Sequence, residues 1–245
     1  MRTILEHRTI RKYKNDPIPQ EHIELILKAA IRASTTGNMQ LYSIIVTTDQ
    51  AIKEKLWEVH FKQDMVKEAP LLLTFCADIR RFEKWCDLHG AKHNYRNILW
   101  FLNSVTDALL AAQNAALQAE SLDYGICYLG TTLYNADKII EILNLPDGVF
   151  PITSLVIGIP NEKPPLTDRL PLNAVIHYQT YKDYNQEDII KIYYEKENSD
   201  FYKKIVEQNN VPSLAHVFTD KRYTENDNIF FSEKIINILK KLKFI

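Results

Sequence analysis

The sequence predicts a layered domain mixing helices and strands, of the α/β or α+β class, and three observations predict it. Three runs of almost uninterrupted apolar residues, at 43–48, 70–77 and 152–159, have the length of buried strands. Helically spaced apolar segments alternate with them. The 245-residue chain is 46% hydrophobic and 25% charged, which supplies a sizeable core and excludes wholesale disorder or low-complexity architecture.

Taken in order, segment 17–33 opens Pro17-Ile18-Pro19-Gln20 and carries Ile23, Ile26, Leu27, Ala30 and Ile31 at i, i+3, i+4 spacing. Proline suits a helix start, and Gly37 with its polar neighbours stops the pattern. Ile44, Ile45 and Val46 centre the first strand, and Asp49 is placed to cap a short helix through Leu56 and Trp57. Pro70–Ala77 (PLLLTFCA) is the second strand. Residues 98–122 form the longest helical pattern, dense in alanine and leucine with few charges. Such a helix is expected to be buried nearly all round, in the core or at a subunit interface. Another short helix covers 137–145, and ITSLVIGI at 152–159 is the third strand, ended by Pro160. After Pro171 the character changes. Residues 183–228 are polar with little core pattern, and 229–245 forms a last amphipathic segment. The expected organisation is a domain over 1–182 and a C-terminal extension over 183–245 whose terminal helix packs on it.

Lys+Arg at 30 against Asp+Glu at 31 leaves no positive excess to neutralise a phosphate backbone, so no nucleic-acid partner is expected. Cys76, Cys86 and Cys127 are an odd set with no Cys-x-x-Cys, which argues against a disulfide framework or zinc site. The first residues lack a signal-peptide core, and no stretch is apolar enough to span a bilayer. A cytoplasmic protein without a membrane partner is the expectation.

Four segments place polar and basic groups beside apolar elements. His7-Arg8-Thr9-Ile10-Arg11 gathers two guanidinium groups and a hydroxyl that together suit an anion, although spacing alone favours a solvated basic N-terminus. Ser34-Thr35-Thr36-Gly37-Asn38-Met39-Gln40 offers small donors for the edge of a planar ligand, or is an ordinary helix-stop loop. In Gly125-Ile126-Cys127-Tyr128-Leu129-Gly130-Thr131, Gly125 is placed to end one helix and Gly130 to expose backbone N–H groups at the entry of the next. This is no GxGxxG, and Cys127 reads as a packing residue. Pro164–Pro171 presents Arg169 from a proline-stiffened loop, to a ligand or to a surface carboxylate. No H-E-x-x-H, no G-x-S-x-G and no obvious nucleophile–base pair occurs, which fits chemistry carried by an organic cofactor.

In this order these segments resemble the nitroreductase-like flavoproteins, nearest to the oxygen-insensitive NADPH nitroreductase and NADPH–flavin reductase branch. The likeness rests on His7–Arg11, Ser34–Gly37 with Gln40, Gln63 ahead of Phe75-Cys76-Ala77-Asp78, Ala112-Gln113-Asn114-Ala115 with Ala119–Leu122, Tyr128-Leu129-Gly130, and Leu155–Pro160 followed by Arg169-Leu170-Pro171. It runs over roughly residues 4–180 and is loose beyond.

The resemblance implies an α+β fold with a mostly antiparallel central sheet flanked by helices, assembled as an intertwined homodimer with FMN at its interface. By it, His7, Arg8, Thr9, Arg11 and Arg169 hold the ribityl-phosphate end. Ser34, Thr35, Thr36 and Gly37 contact the flavin or its side chain. Gln63, Tyr128, Leu129, Gly130 and Thr131 line the isoalloxazine, while Lys221 and Arg222 are candidates for the NADPH 2′-phosphate. No residue is assigned as catalytic, because hydride transfer occurs at flavin N5. The implied function is FMN-dependent NAD(P)H oxidoreduction by a ping-pong route to a small-molecule electron acceptor such as a nitroaromatic, a quinone or free flavin. Two alternatives keep the flavin: specialised chemistry such as dehalogenation or metabolite oxidation, and a non-catalytic flavin-binding module. The chain departs from the family pattern at Thr9 (usually serine), at Thr131 (often glycine) and at Thr167, where a lysine often precedes the loop arginine. The last change removes one charge from the phosphate end.

Overall fold

In the computed structural model, which describes residues 2–245, four segments among the described residues pair into one antiparallel sheet. They are β1 (Tyr42–Thr47), β2 (Leu71–Asp78), β3 (Gly125–Leu129) and β4 (Val149–Gly158), in the order β1-β2-β4-β3. All eight residues of β2 are buried because the strand is covered on both faces, which is why its sequence runs apolar without alternating. Leu71, Leu73 and Phe75 face one apolar layer, and Leu72 joins Leu56, Val59 and Val66 in the other. Pro151 sits inside β4, where a proline removes a ladder donor, and the register shifts there: Phe75 pairs with Thr153 but Cys76 with Pro151.

The helices of the first part of the chain are α1 (Arg2–Leu5), α2 (Gln20–Ala30), α3 (Gln50–Val59), α4 (Met65–Glu68), α5 (Arg80–Leu88), α6 (Ile98–Ser121) and α7 (Ala136–Ile142). Asp49 caps α3 as its position predicts, its side chain accepting from the Ile52 N–H at 2.9 Å. Asn97 does the same for α6 through Trp100 N. Helices α2 and α6 share the first core with the sheet, and α3, α4 and α7 contribute to the second.

One expectation is corrected. Gly125 ends no helix. The chain leaves α6 at Asp123, in the left-handed conformation at φ 63°, and Gly125 starts β3, while Gly130–Thr132 is a 3-10 turn and α7 begins only at Ala136. The buried Ile126, Cys127 and Leu129 decide this, since pairing with β4 gives their backbone partners that a loop would lack. Helix α6 is buried on one side in the single chain. Its alanine face, Ala108, Ala111, Ala112, Ala115 and Ala119, is fully buried, but Leu99, Leu102, Leu109 and Leu110 are 43–60% exposed in the single chain.

The chain divides into two compact units, one running to Leu166 and including Lys234–Ile245, the other Thr167–Glu233. The second holds α8 (Gln186–Asn198), α9 (Asp200–Asn209), the single turn α10 (Leu214–His216) and a π-helical stretch, Val217–Arg222. Helix α8 starts at a capping box of Asn185 and Asp188. Asp168 binds Lys196 at 2.6 Å and Tyr202 at 2.8 Å. Partial burial opposes its ionisation, yet these two bonds hold its carboxyl below the usual range. Helix α11 (Glu225–Lys241) ends in the first unit, where Ile238, Leu239, Leu242 and Phe244 enter the core. Phe244 meets Phe101 edge-on at 5.2 Å.

Candidate active site

The His7–Arg11 segment is held against the free edge of β3. Thr9 pairs in parallel with Ile126, and Ile10 N–H donates to the Ile126 carbonyl at 2.9 Å. Gly125 makes this docking possible, because a Cβ there would lie 2.7 Å from Ile10 Cγ1. His7 Nδ1 sits 2.6 Å from Glu120 Oε1, at the last turn of α6. Glu162 accepts the backbone N–H groups of both Arg11 and Lys12, leaving the Arg11 side chain exposed. Arg8 is half-buried. Its Nε is closed off from solvent with no partner, and Nη1 reaches only the Glu6 carbonyl at 3.4 Å. Arg8 lines an open cleft of about 570 Å³ with Glu6, Glu120, Asp123, Glu162 and Lys163.

The Ser34–Gln40 loop is organised from α6 by a residue that sequence reasoning missed. Asp107, 1% exposed, accepts from Thr36 N–H at 2.9 Å and from Leu41 N–H at 3.0 Å. Between these anchors Gly37, Asn38 and Gln40 all take positive φ, and Arg81 reaches back to the Gln40 carbonyl. Ser34 and Gly37 are exposed, and Thr35 and Thr36 half-buried. The signal for Asp107 was in the sequence, as the one charge in the middle of the alanine-rich run.

Gln63 and Thr131 meet, and His60 joins them. Gln63 Nε2 donates to Thr131 Oγ1 at 3.2 Å and to the His60 carbonyl at 2.9 Å. His60 Nδ1 lies 2.7 Å from the same Oγ1. His60 is fully buried, and burial drives its pKa down to about 4, so the ring is neutral at pH 7. Gly130 is exposed, with no atom within 4 Å of where a Cβ would stand, and Leu129 is buried beneath it. Tyr128 OH reaches Gln113 Oε1 at 3.5 Å. Burial, reinforced by Glu120, holds that phenol well above its ordinary range, so it stays protonated.

The remaining candidates lie in the second unit. Arg169 Nη1 is occupied locally by Thr167 Oγ1 at 2.7 Å and the Asp168 carbonyl at 2.8 Å. It lines a cavity of about 1080 Å³ with His177, Lys182, Tyr184, Tyr194 and Lys196. Lys221 and Arg222 are exposed in the π-helical stretch, Arg222 lying 5.9 Å from the Phe218 ring centre.

Cys127 packs as expected. Burial pushes its thiol up to about 11, against the pull of Arg11 and with a further push from Glu162. Among the described residues, no group of three His, Cys, Asp or Glu side chains is arranged to hold a metal, and no helix is long and apolar enough to cross a membrane.

Known proteins match this arrangement closely. A family model described as the nitroreductase family matches residues 4–159. An FMN reductase (NADPH) of Bacillus subtilis is 36% identical over 206 residues, covering 82% of each chain. A solved structure from Bacteroides fragilis covers 100% of both chains at 47% identity and TM-score 0.98. The NfrA1 nitroreductase of B. subtilis covers 99% of this chain and 97% of its own at 30% identity and TM-score 0.82. With the four-stranded antiparallel sheet, the helices around it and a family match spanning both the N-terminal basic segment and the Tyr128–Gly130 edge, the chain belongs to the nitroreductase family.

Proposed function

We propose that this protein is an FMN-dependent NAD(P)H oxidoreductase that serves its reductant and a small acceptor in turn at one open site. The observation that carries the reading is the match to an NADPH-using FMN reductase over 82% of both chains. When bound, FMN supplies the reversible two-electron chemistry, and the protein supplies binding, orientation and positive charge.

The donors left over in the site suit that cofactor. Arg8 keeps a buried Nε–H without a partner among the described residues and lines the open cleft, where a guanidinium suits a charge-assisted bond to a phosphate. The neighbouring carboxylates oppose an anion less than their number suggests, since Glu120 is paired with His7 and Glu162 with two backbone N–H groups. His7, Arg8, Thr9 and Arg11 would hold the phosphate end, and Arg169 is a further phosphate candidate by the resemblance alone. Ser34–Gly37 would meet the flavin side chain. Gln63, Tyr128, Leu129, Gly130 and Thr131 would border the ring, where the open space at Gly130 allows close approach of a planar group. Lys221 and Arg222 are the candidates for the NADPH 2′-phosphate. The exposed Leu99, Leu102, Leu109 and Leu110 face of α6 supports a homodimer, in which a second copy covers it.

The test is the visible spectrum of the protein saturated with FMN, recorded anaerobically before and after NADPH. Retained flavin that bleaches within the mixing time is expected, followed by recovery of colour on adding a quinone or nitroaromatic. Protein that retains no flavin would overturn the reading.

A further inference from the structure

The polar contact of His60 with Thr131 lies beyond what the family assignment supplies. Thr131 Oγ1 has two lone pairs and one proton. Gln63 Nε2 can only donate, so it fills one lone pair, at 3.2 Å. The contact with His60 Nδ1 at 2.7 Å runs in one of two directions, set by the imidazole tautomer. Were the proton on Nε2, an N–H would be sealed in a fully buried side chain with no acceptor, because His60 Nε2 has no partner. Orphaned buried N–H groups are rare and costly, whereas an unfilled lone pair is tolerated better. The proton therefore sits on Nδ1, and His60 donates.

The turn that closes α3 brings the two side chains together: Phe61 and Lys62, which link His60 to Gln63, take positive φ, 54° and 55°, and Lys62 N–H donates back to the Trp57 carbonyl at 2.9 Å.

We propose that His60 is a positioning residue: with Gln63 it fills both lone pairs of Thr131 Oγ1, so that the Thr131 hydroxyl keeps one role, donating its proton to an acceptor atom on the edge of the FMN isoalloxazine. The inference rests on the flavin reading above. It assigns to the Thr131 side chain a directed donor that selects for a ring edge bearing oxygen or nitrogen acceptors.

Two experiments test it. The first needs no flavin: nitrogen-15 NMR of the histidine side chains in the unmodified protein at pH 7. A ring protonated at Nδ1 is expected for His60, and a ring protonated at Nε2 overturns the proposal. The second measures FMN affinity by fluorescence quenching. Thr131→Val is expected to raise the Kd about tenfold, or about 1.4 kcal/mol, with Thr131→Ser close to the parent. His60→Leu is expected to weaken FMN to a similar extent, while His60→Asn, which keeps an N–H donor near the place of Nδ1, restores most of the affinity. FMN binding by Thr131→Val equal to the parent's overturns this inference alone. A parent that binds no FMN overturns the flavin reading, and the inference with it.

Discussion

Sealing an imidazole away from water makes folding depend on pH, and His60 sets the window. Its pKa is lowered from 6.5 to about 4 by burial. Below about pH 6.5 the unfolded chain takes up a proton that the folded protein refuses, so stability is lost as pH falls and the loss stops near pH 4, where the folded form also protonates. The linkage amounts to about 3 kcal/mol across that window. Urea unfolding at pH 7, 5 and 4 is expected to show a flatter decline in His60→Asn than in the parent. His60 also marks the limit of what was legible at this scale. The family pattern nominated His7–Arg11, Gln63 and Thr131 as candidates, but nothing local announced the partners that fix them. Thr36 meets Asp107 across 71 positions, His7 meets Glu120 across 113, and Arg11 meets Glu162 across 151. Such pairings are set by strand and helix packing, which local periodicity does not encode.

Among the elements, the long and strongly periodic ones were readable and the short one that matters most was not. The expected strand at 43–48 is β1 at Tyr42–Thr47, that at 70–77 is β2 at Leu71–Asp78, and the helix over 98–122 is α6 at Ile98–Ser121. β3 has five residues, opening on Gly125 and followed by Gly130, and glycines read equally well as helix caps. Only its place beside β4 makes it a strand. Helices α8 and α9 passed unread because they bury so little, Ile192 alone in α8 and no residue in α9, although Asn185 and Ser199 cap their starts. The strand carries a prediction. Gly125→Ala would drive a methyl group into Ile10, whose side-chain atoms lie 2.7–2.9 Å from the new Cβ, and push the His7–Arg11 segment off the sheet edge. A loss of about 1–3 kcal/mol is expected from chemical denaturation. FMN affinity should fall further than in a variant that overpacks the core away from this edge, since the displaced segment carries Arg8.

At the scale of the whole molecule, α6 organises the first unit, where α2 and the sheet pack against it. Its alanine face lets α2 and the sheet approach closely, and its leucine face is exposed in the single chain, as the proposed dimer requires. Sedimentation equilibrium is expected to show a dimer, and the double variant Leu102→Glu with Leu109→Glu a monomer. A monomeric parent would remove the assembly from the functional reading. Asp107 on the same helix gives the structure a signature in time. The protons it holds, on Thr36 and Leu41, belong to a loop by position but to α6 by attachment. A buried helix surrenders its amides to deuterium only when the domain opens, whereas solvated turns exchange through local fraying. Thr36 and Leu41 should therefore keep their hydrogens nearly as long as residues 108–119 do, while the exposed Gly37 and Asn38 between them turn over early.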